Sequence, residues 1–84
     1  MHLTILTPDK SVFEGTVEKV TLPGDKGSFQ VLRDHAPIVS TLRKGKIFYK
    51  DKVKDHALGI EEGLVEIRNN VITVLVEADL RKTT

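Results

Sequence analysis

Glycine and proline interrupt this chain so often that helices of ordinary length have little room. The interruptions are Pro8, Gly15, Pro23-Gly24, Gly27, Pro37, Gly45, Gly59 and Gly63. Between them lie runs of β-branched or alternating apolar residues, at positions 3–7, 17–22, 29–32, 38–42, 47–50, 64–68 and 71–78. Runs of this kind, bounded by turn residues, favour short strands. The pattern therefore predicts an all-β fold, an antiparallel sandwich or barrel with little or no helix.

The length allows one small domain, because two would leave about 40 residues each, too few for a core without cross-links. With 39% hydrophobic residues, 30% charged residues and a net charge of +1, the chain fits neither the disordered nor the membrane-spanning class. It has no cysteine, which excludes disulfides and thiolate metal sites. The longest strongly apolar run, 71–76, is far shorter than the roughly 20 residues that cross a bilayer. No apolar segment follows Met1-His2 as in a signal peptide, so we expect any membrane contact to run through a partner.

Residues 64–76 carry the clearest hairpin signal, two apolar runs joined by Asn69-Asn70. Asparagine tolerates the positive φ that both central positions of a type I′ turn require, so the turn also sets the register. Counting outward gives two cross-strand pairs, Ile67 with Ile72 and Val65 with Val74. Since side chains alternate between faces, these four residues are predicted to share the buried face of the hairpin.

A second hairpin is predicted from runs 46–50 and 53–58 around Asp51-Lys52. Its candidate inward residues are Ile47, Tyr49 and Val53. The others are mostly charged, which favours an exposed ribbon at the edge of a sheet. We expect His56 to project from this ribbon into water.

Polar residues form no pattern typical of an active site. The three histidines, His2, His35 and His56, lack the spacing of metal ligands or of a nucleophilic triad. We expect Glu61-Glu62 and Asp79 to be surface charge. The loop 23–29 lacks the spacing of a phosphate-binding loop and is predicted to join two strands. We therefore expect no catalytic residue, no metal and no cofactor.

His35-Ala36-Pro37 predicts a rigid corner before the strand at Ile38. Proline fixes its own φ and restricts Ala36 to extended geometry. The imidazole of His35 is expected to bond to nearby backbone. The corner therefore presents a defined surface, and a small β module without an active site is typical of proteins that bind a partner.

The segment 43–54 is strongly basic and leaves a second function open. Six basic residues, Arg43, Lys44, Lys46, Lys50, Lys52 and Lys54, face one acidic residue, Asp51, an excess of five. Phe48 and Tyr49 lie among them, a composition typical of single-stranded nucleic-acid-binding modules. The near-neutral total charge argues against this alternative.

Several ordered motifs together resemble one family, the epsilon subunit of F-type ATP synthase, in its N-terminal β-sandwich domain. In order they are Leu3-Thr4-Ile5-Leu6-Thr7-Pro8, Val12-Phe13-Glu14-Gly15, Val17-Glu18-Lys19-Val20, Pro23-Gly24, Gly27-Ser28-Phe29-Gln30-Val31-Leu32, His35-Ala36-Pro37-Ile38, Leu42-Arg43-Lys44-Gly45, Gly63-Leu64-Val65-Glu66-Ile67 and Asn70-Val71-Ile72-Thr73-Val74-Leu75. Their order and spacing match the family from residue 3 to residue 78. Single motifs are weakly specific, but the ordered series is strong.

The resemblance implies a sandwich of about ten short strands and a non-catalytic role in the rotor's central stalk. Such a subunit binds the gamma subunit and the c ring, and so couples proton or sodium translocation to ATP synthesis by the whole complex. By motif matching, His35, Ala36, Pro37 and Ser40 would face gamma, and Gly27, Ser28 and Phe29 would face the c ring. The implied location is peripheral, on the cytoplasmic face of the inner or plasma membrane.

The sequence departs from the family in two places. Family members commonly have a glycine pair before the last hairpin, where Glu62 precedes Gly63 here; this is expected to alter a bulge and leave the hairpin intact. Typical bacterial members also continue into a C-terminal helical hairpin, whereas the given sequence ends at Thr84, so the inhibitory and ATP-binding functions of that hairpin are not implied. A naturally short form and a shortened piece of a longer protein both fit this sequence. We expect residues 1–80 to form the sandwich domain and residues 81–84 a polar tail.

Overall fold

In the computed structural model, which describes residues 1–78, all regular structure is β-strand. The strands are β1 (His2–Leu6), β2 (Ser11–Thr16), β3 (Lys19–Gly24), β4 (Gly27–Val31), β5 (Ile38–Leu42), β6 (Gly45–Lys50), β7 (Asp55–Arg68) and β8 (Val71–Ala78). The predicted all-β class is confirmed, with eight strands in these residues where about ten were expected. Residues 1–78 contain no helix long and apolar enough to cross a membrane. The predicted tail, 81–84, lies outside the described residues.

The strands form one continuous sheet that divides into two layers. Its order is β2-β1-β8-β7-β5-β3-β4, and β6 pairs with both β3 and β7. The 14-residue β7 belongs to both layers, because its first half pairs with β6 and its second half with β5 and β8. The first layer is therefore β2-β1-β8-β7-β5 and the second is β7-β6-β3-β4. The β1–β8 pair is parallel, whereas every other pair in residues 1–78 is antiparallel.

One hydrophobic core lies between the layers. Fully buried residues come from the first layer, such as Leu3 and Ile5 of β1, and from the second, such as Leu22 of β3. The ring of Phe13 on β2 lies 4.7 Å from the ring of Tyr49 on β6, so the layers also meet at this end. Burial of this apolar area supplies the main favourable free energy of folding.

The predicted hairpin at 64–76 is confirmed, including its register. Ile67 pairs with Ile72 and Val65 with Val74, and all four side chains are buried. The φ angles of Asn69 and Asn70 are +51° and +61°, as a type I′ turn requires.

The irregularity next to Gly63 also agrees with the sequence, since the β7–β8 register shifts between Ile60 and Glu62 and the hairpin remains intact. A Cβ at Gly63 would lie 2.7 Å from the Leu75 carbonyl oxygen, so only glycine fits this close approach. The pattern of interruptions predicts that Gly59 and Gly63 end strands. This prediction is wrong, because β7 continues through both residues.

The second predicted hairpin is present, and one of its two strands lies at an edge. The first part of β7, residues 55–59, pairs with β6 alone within residues 1–78, which agrees with the predicted edge position. β6 itself lies inside the sheet, because it pairs with β3 on one side and β7 on the other. Ile47 and Tyr49 are buried as predicted. The prediction that Val53 faces inward is wrong. Its side chain is 87% exposed, because it lies in the connection 51–54 and outside the paired strands.

His56 does not project into water, because it pairs directly with Tyr49 across β6 and β7. Its ring stacks on that of Tyr49, with centroids 4.8 Å apart and planes inclined by 7°. Its Nε2 lies 2.9 Å from Oδ2 of Asp51. The other carboxylate oxygen of Asp51 accepts hydrogen bonds from the backbone N–H groups of Val53 and Lys54, at 2.7 and 2.8 Å. The carboxylate therefore holds the β6–β7 connection together.

We expect the Asp51 carboxylate to make stability depend on pH in the acid range. Hydrogen bonds from the Lys54 backbone, the His56 ring and the Val53 backbone lower the pKa of Asp51 from 3.8 to about 2. Because the pKa of Asp51 is lower in the folded state, the ionised carboxylate stabilises the fold fully above its ordinary pKa of 3.8. This stabilisation is lost as the pH falls from 3.8 to about 2. Urea unfolding at several pH values should show a steeper loss in the native chain than in Asp51→Asn. Identical pH dependence of the two proteins would contradict the assignment.

Candidate interaction surface

The corner at His35-Ala36-Pro37 follows a tight turn over residues 32–35. The backbone N–H of His35 donates to the carbonyl of Leu32 at 3.1 Å. The Nδ1 of His35 lies 2.8 Å from the Ala36 carbonyl oxygen, and since a carbonyl can only accept, this nitrogen carries the hydrogen. The predicted bond between the imidazole and nearby backbone is confirmed. Ala36 and Pro37 are exposed where the chain enters β5.

Two side chains attach this corner to the β7–β8 turn. The backbone N–H of Asp34 donates to Oδ1 of Asn70 at 2.6 Å, and Nδ2 of Asn70 donates to Oδ1 of Asp34 at 3.0 Å. The reciprocal pair is here called the Asp34–Asn70 clasp. Sequence reasoning missed it because the two residues lie 36 positions apart. The Asp-His-Ala-Pro and Asn-Asn signals gave no sign that the two turns meet.

β5 carries Ser40 on the core-facing side of its sheet. Ile38, Ser40 and Leu42 pair with the inward residues of β7, whereas Val39 and Thr41 project outward. Ser40 is half-buried, and its hydroxyl donates to the Thr41 carbonyl at 3.1 Å. Val39 is 66% exposed, so it presents more surface to a partner than Ser40 does.

Gly27, Ser28 and Phe29 begin β4 at the tip of the β3–β4 hairpin, where Gly24 pairs with Gly27 around Asp25-Lys26. Gly27 has a φ of +127°, which favours glycine. Ser28 is exposed, and half-buried Phe29 packs against the core. Of the predicted loop 23–29, only Asp25-Lys26 connects the two strands, because Pro23-Gly24 end β3 and residues 27–29 begin β4.

Hydrogen bonds attach this tip to the far end of β5. The backbone N–H of Asp25 donates to the Thr41 carbonyl at 3.2 Å, and the Thr41 hydroxyl donates to the Asp25 carboxylate. Gly27 and Phe29 therefore line the same shallow pocket as Ser40. The structure therefore brings Ser40 close to the predicted c-ring residues. It leaves His35-Ala36-Pro37 at the opposite end of β5.

The outer face of the first layer carries an apolar row that sequence reasoning missed. Leu6, Leu75 and Leu64 are neighbours across β1, β8 and β7, and Leu64 pairs with Thr41 of β5. Leu75 is 49% exposed and Leu64 38%. With the adjacent Val39, these three leucines are here called the apolar row. The predicted hairpin register already placed Leu64 and Leu75 opposite each other on the outer face, so that signal could have revealed the row.

The basic segment 43–54 lies on the second layer, away from the apolar row. Lys46, Phe48 and Lys50 are exposed on β6, and Phe48 is 50% exposed. Tyr49 is buried, so only one of the two aromatic rings could stack on a base. Within residues 1–78, no three His, Asp or Glu side chains converge as metal ligands would.

One family model matches this chain, that of the ATP synthase delta/epsilon chain β-sandwich domain, over residues 1–82. The ATP synthase epsilon chain of Nitratidesulfovibrio vulgaris (strain DP4) is 41% identical over 78 residues, which cover 93% of this chain and 58% of the relative. The ATP synthase epsilon chain of Caulobacter vibrioides is 35% identical over 77 residues, which cover 92% of this chain and 90% of the relative. The chain thus spans little more than half of the first relative and most of the second.

Solved structures of similar fold come from two mitochondrial ATP synthases. A chain in the central stalk and c ring of the Tetrahymena thermophila enzyme gives a TM-score of 0.77 at 18% identity, covering 90% of this chain and 62% of that one. A chain in the OSCP, F1 and c-ring structure of the Euglena gracilis enzyme gives 0.82 at 21% identity, covering 95% and 56%. At these sequence identities the structural similarity shows a shared fold and nothing about function.

Proposed function

The chain belongs to the family of ATP synthase delta/epsilon chain β-sandwich domains, and we propose that it is a non-catalytic central-stalk subunit that binds the gamma subunit and the c ring. The match over residues 1–82 carries this proposal, since it includes every strand of the fold. The proposed subunit is peripheral to the cytoplasmic face of the inner or plasma membrane and reaches the membrane only through the complex. The domain boundary at residue 80 and the polar tail 81–84 stay predictions, because both lie outside the described residues.

The proposed role is mechanical. Torque from ion translocation passes from the c ring through the stalk to the catalytic head, so the subunit needs a stiff body and two durable interfaces. A single core shared by both layers provides the stiffness. The strand β7 adds to it by connecting the layers through continuous backbone.

The proposed gamma interface combines the corner at His35, Ala36 and Pro37 with β5 and the adjacent apolar row. Exposed apolar side chains that lie next to one another mark protein interfaces more reliably than isolated ones. Val39, at 66% exposure, lies on β5 between the corner and Ser40. The apolar row would form the dry centre of this interface, and His35 and Thr41 would form part of its polar rim.

The proposed c-ring interface is the tip of the β3–β4 hairpin, with Gly27, Ser28 and Phe29. Ser28 is exposed on β4, and the hydrogen bonds to Thr41 hold the tip in a fixed position. A polar contact of this kind is sensitive to added charge, because a charge without a partner loses its hydration on binding.

Charge substitutions at the two proposed interfaces test this assignment. We expect Ser28→Lys to weaken binding of the gamma-bound chain to the c ring, and His35→Asp to weaken binding of the chain to gamma. Each affinity should fall by about tenfold, which is the usual loss when a residue that contributes to an interface is replaced. Val53→Lys, at an 87% exposed position of the β6–β7 connection and outside both proposed interfaces, is the control and should leave assembly unchanged. Co-purification and calorimetry measure both steps, and normal assembly of both interface variants would argue against these faces.

A further inference from the structure

We propose that Asn70 is the positioning residue for the corner that faces gamma, through the Asp34–Asn70 clasp. This inference rests on the proposed function of the corner. Asn70 itself lies in the β7–β8 turn and need not contact the partner. Its side chain would instead hold residues 32–37 in the shape that the partner recognises.

The loop 32–37 depends on the clasp because it has few other attachments. Among hydrogen bonds within residues 1–78, the two between Asp34 and Asn70 are the only side-chain bonds that connect this loop to another element. The remaining bonds of the loop are internal, from His35 N–H to Leu32 and from the His35 ring to Ala36. Loss of the clasp would therefore free the loop from the sandwich and leave its internal bonds, such as that of the His35 N–H, without support from another element.

The conformation of Asp34 also needs support. Asp34 is the third residue of the 32–35 turn and has a φ of +65°, where turns favour glycine or asparagine. Its backbone N–H and its carboxylate are both bonded to the Asn70 amide, which uses one acceptor and one donor in return. This two-way contact fits an asparagine side chain, because a carboxylate at position 70 would offer no donor to Asp34.

Asn70 is itself held firmly enough to act as an anchor. Its carbonyl accepts a hydrogen bond of 2.9 Å from the backbone N–H of His2, at the start of β1. Asn70 is also the second residue of the two-residue turn between β7 and β8, and this turn sets the register of the hairpin. Asn69 shares the positive φ but its exposed side chain makes no hydrogen bond within residues 1–78. The two turn asparagines thus offer a matched comparison.

Glycine substitutions separate the clasp from the turn, since glycine accepts the positive φ at either position. In Asn70→Gly we expect the amide hydrogens of Asp34 and His35 to exchange about tenfold faster, while those of Ile67 and Val74 keep native protection. Affinity for gamma should fall by about tenfold. Asn69→Gly should stay within about twofold of the native chain in both measurements.

A double-mutant comparison tests whether Asp34 is the partner. Asp34→Gly should resemble Asn70→Gly, and the double variant should be no worse than either single variant, because both remove the same contact. Asp34→Asn keeps an acceptor for Nδ2 and tolerates the turn conformation, so it should preserve both protection and affinity.

Native exchange at Asp34 in Asn70→Gly would overturn the inference, as would equal losses of affinity in Asn69→Gly and Asn70→Gly. Failure of the proposed function gives a different result. The native chain would then not bind gamma at all, and the exchange measurement would still decide whether Asn70 holds the corner.

Discussion

Replacing Ile72 with alanine is expected to lower the free energy of unfolding by about 2–5 kcal/mol. Ile72 is fully buried and lies between Leu3 of β1 and Ile67 of β7 in the first layer. Truncation there leaves a cavity between paired strands that cannot easily collapse. Such a loss is a large share of the stability of so small a domain, and urea unfolding of both proteins measures it.

Val71→Ala is the control for this substitution. Val71 is the neighbouring residue of the same strand, but its side chain lies on the outer face and is 45% exposed. Its truncation should cost less than about 1 kcal/mol. A cost below about 0.5 kcal/mol for Ile72→Ala, the range of surface changes, would mean that the hairpin register is wrong.

Replacing Leu75 with lysine is expected to weaken binding to the gamma subunit by about 30-fold or more. The side chain lies in the apolar row between Leu6 and Leu64, so in the proposed complex the lysine charge would be buried without a partner. Loss of a central interface residue commonly costs about 2 kcal/mol or more, which corresponds to this factor. Because Leu75 is half-exposed in the free chain, the variant should fold normally, as its circular dichroism would report.

Val53→Lys makes the same chemical change at a distant and more exposed site. Val53 lies in the β6–β7 connection and is 87% exposed, outside the proposed interface. Its affinity for gamma should equal that of the native chain. If Leu75→Lys binds as tightly as Val53→Lys, the apolar row is not part of the interface.

The sequence predicted best where structure is decided locally. The 64–76 hairpin has a two-residue turn of defined geometry, and this turn sets which residues of β7 and β8 face the core. The corner at His35-Ala36-Pro37 was predictable for a similar reason, since proline restricts two successive residues.

Sequence reasoning was less successful where pairing joins distant segments. The interior position of β6 depends on β3, and the parallel pair of β1 with β8 joins the two ends of the described chain. The alternation pattern also missed β2, which pairs with β1 alone within residues 1–78. His56 was placed in water because its ribbon is mostly charged, whereas the observed connection 51–54, two residues longer than the predicted turn Asp51-Lys52, pairs His56 with Tyr49.

The family resemblance supplied the identities of the proposed interface residues, and the structure adds how they are arranged. Ser40 and Phe29, which motif matching assigns to different partners, line the same shallow pocket. Asn70 and Asp34 could not be connected from the sequence, since no local rule indicates that two turns 36 residues apart exchange hydrogen bonds.

Titration of this chain into purified gamma subunit by calorimetry, at two salt concentrations, tests the proposed stalk role most directly. A single-stranded oligonucleotide serves as the parallel ligand, because Phe48 is exposed among the lysines of β6. We predict saturable one-to-one binding to gamma that changes little with salt, as expected for an apolar interface, and no binding to the oligonucleotide. Salt-sensitive binding to the oligonucleotide without binding to gamma would contradict the stalk role and assign the function to the basic segment 43–54.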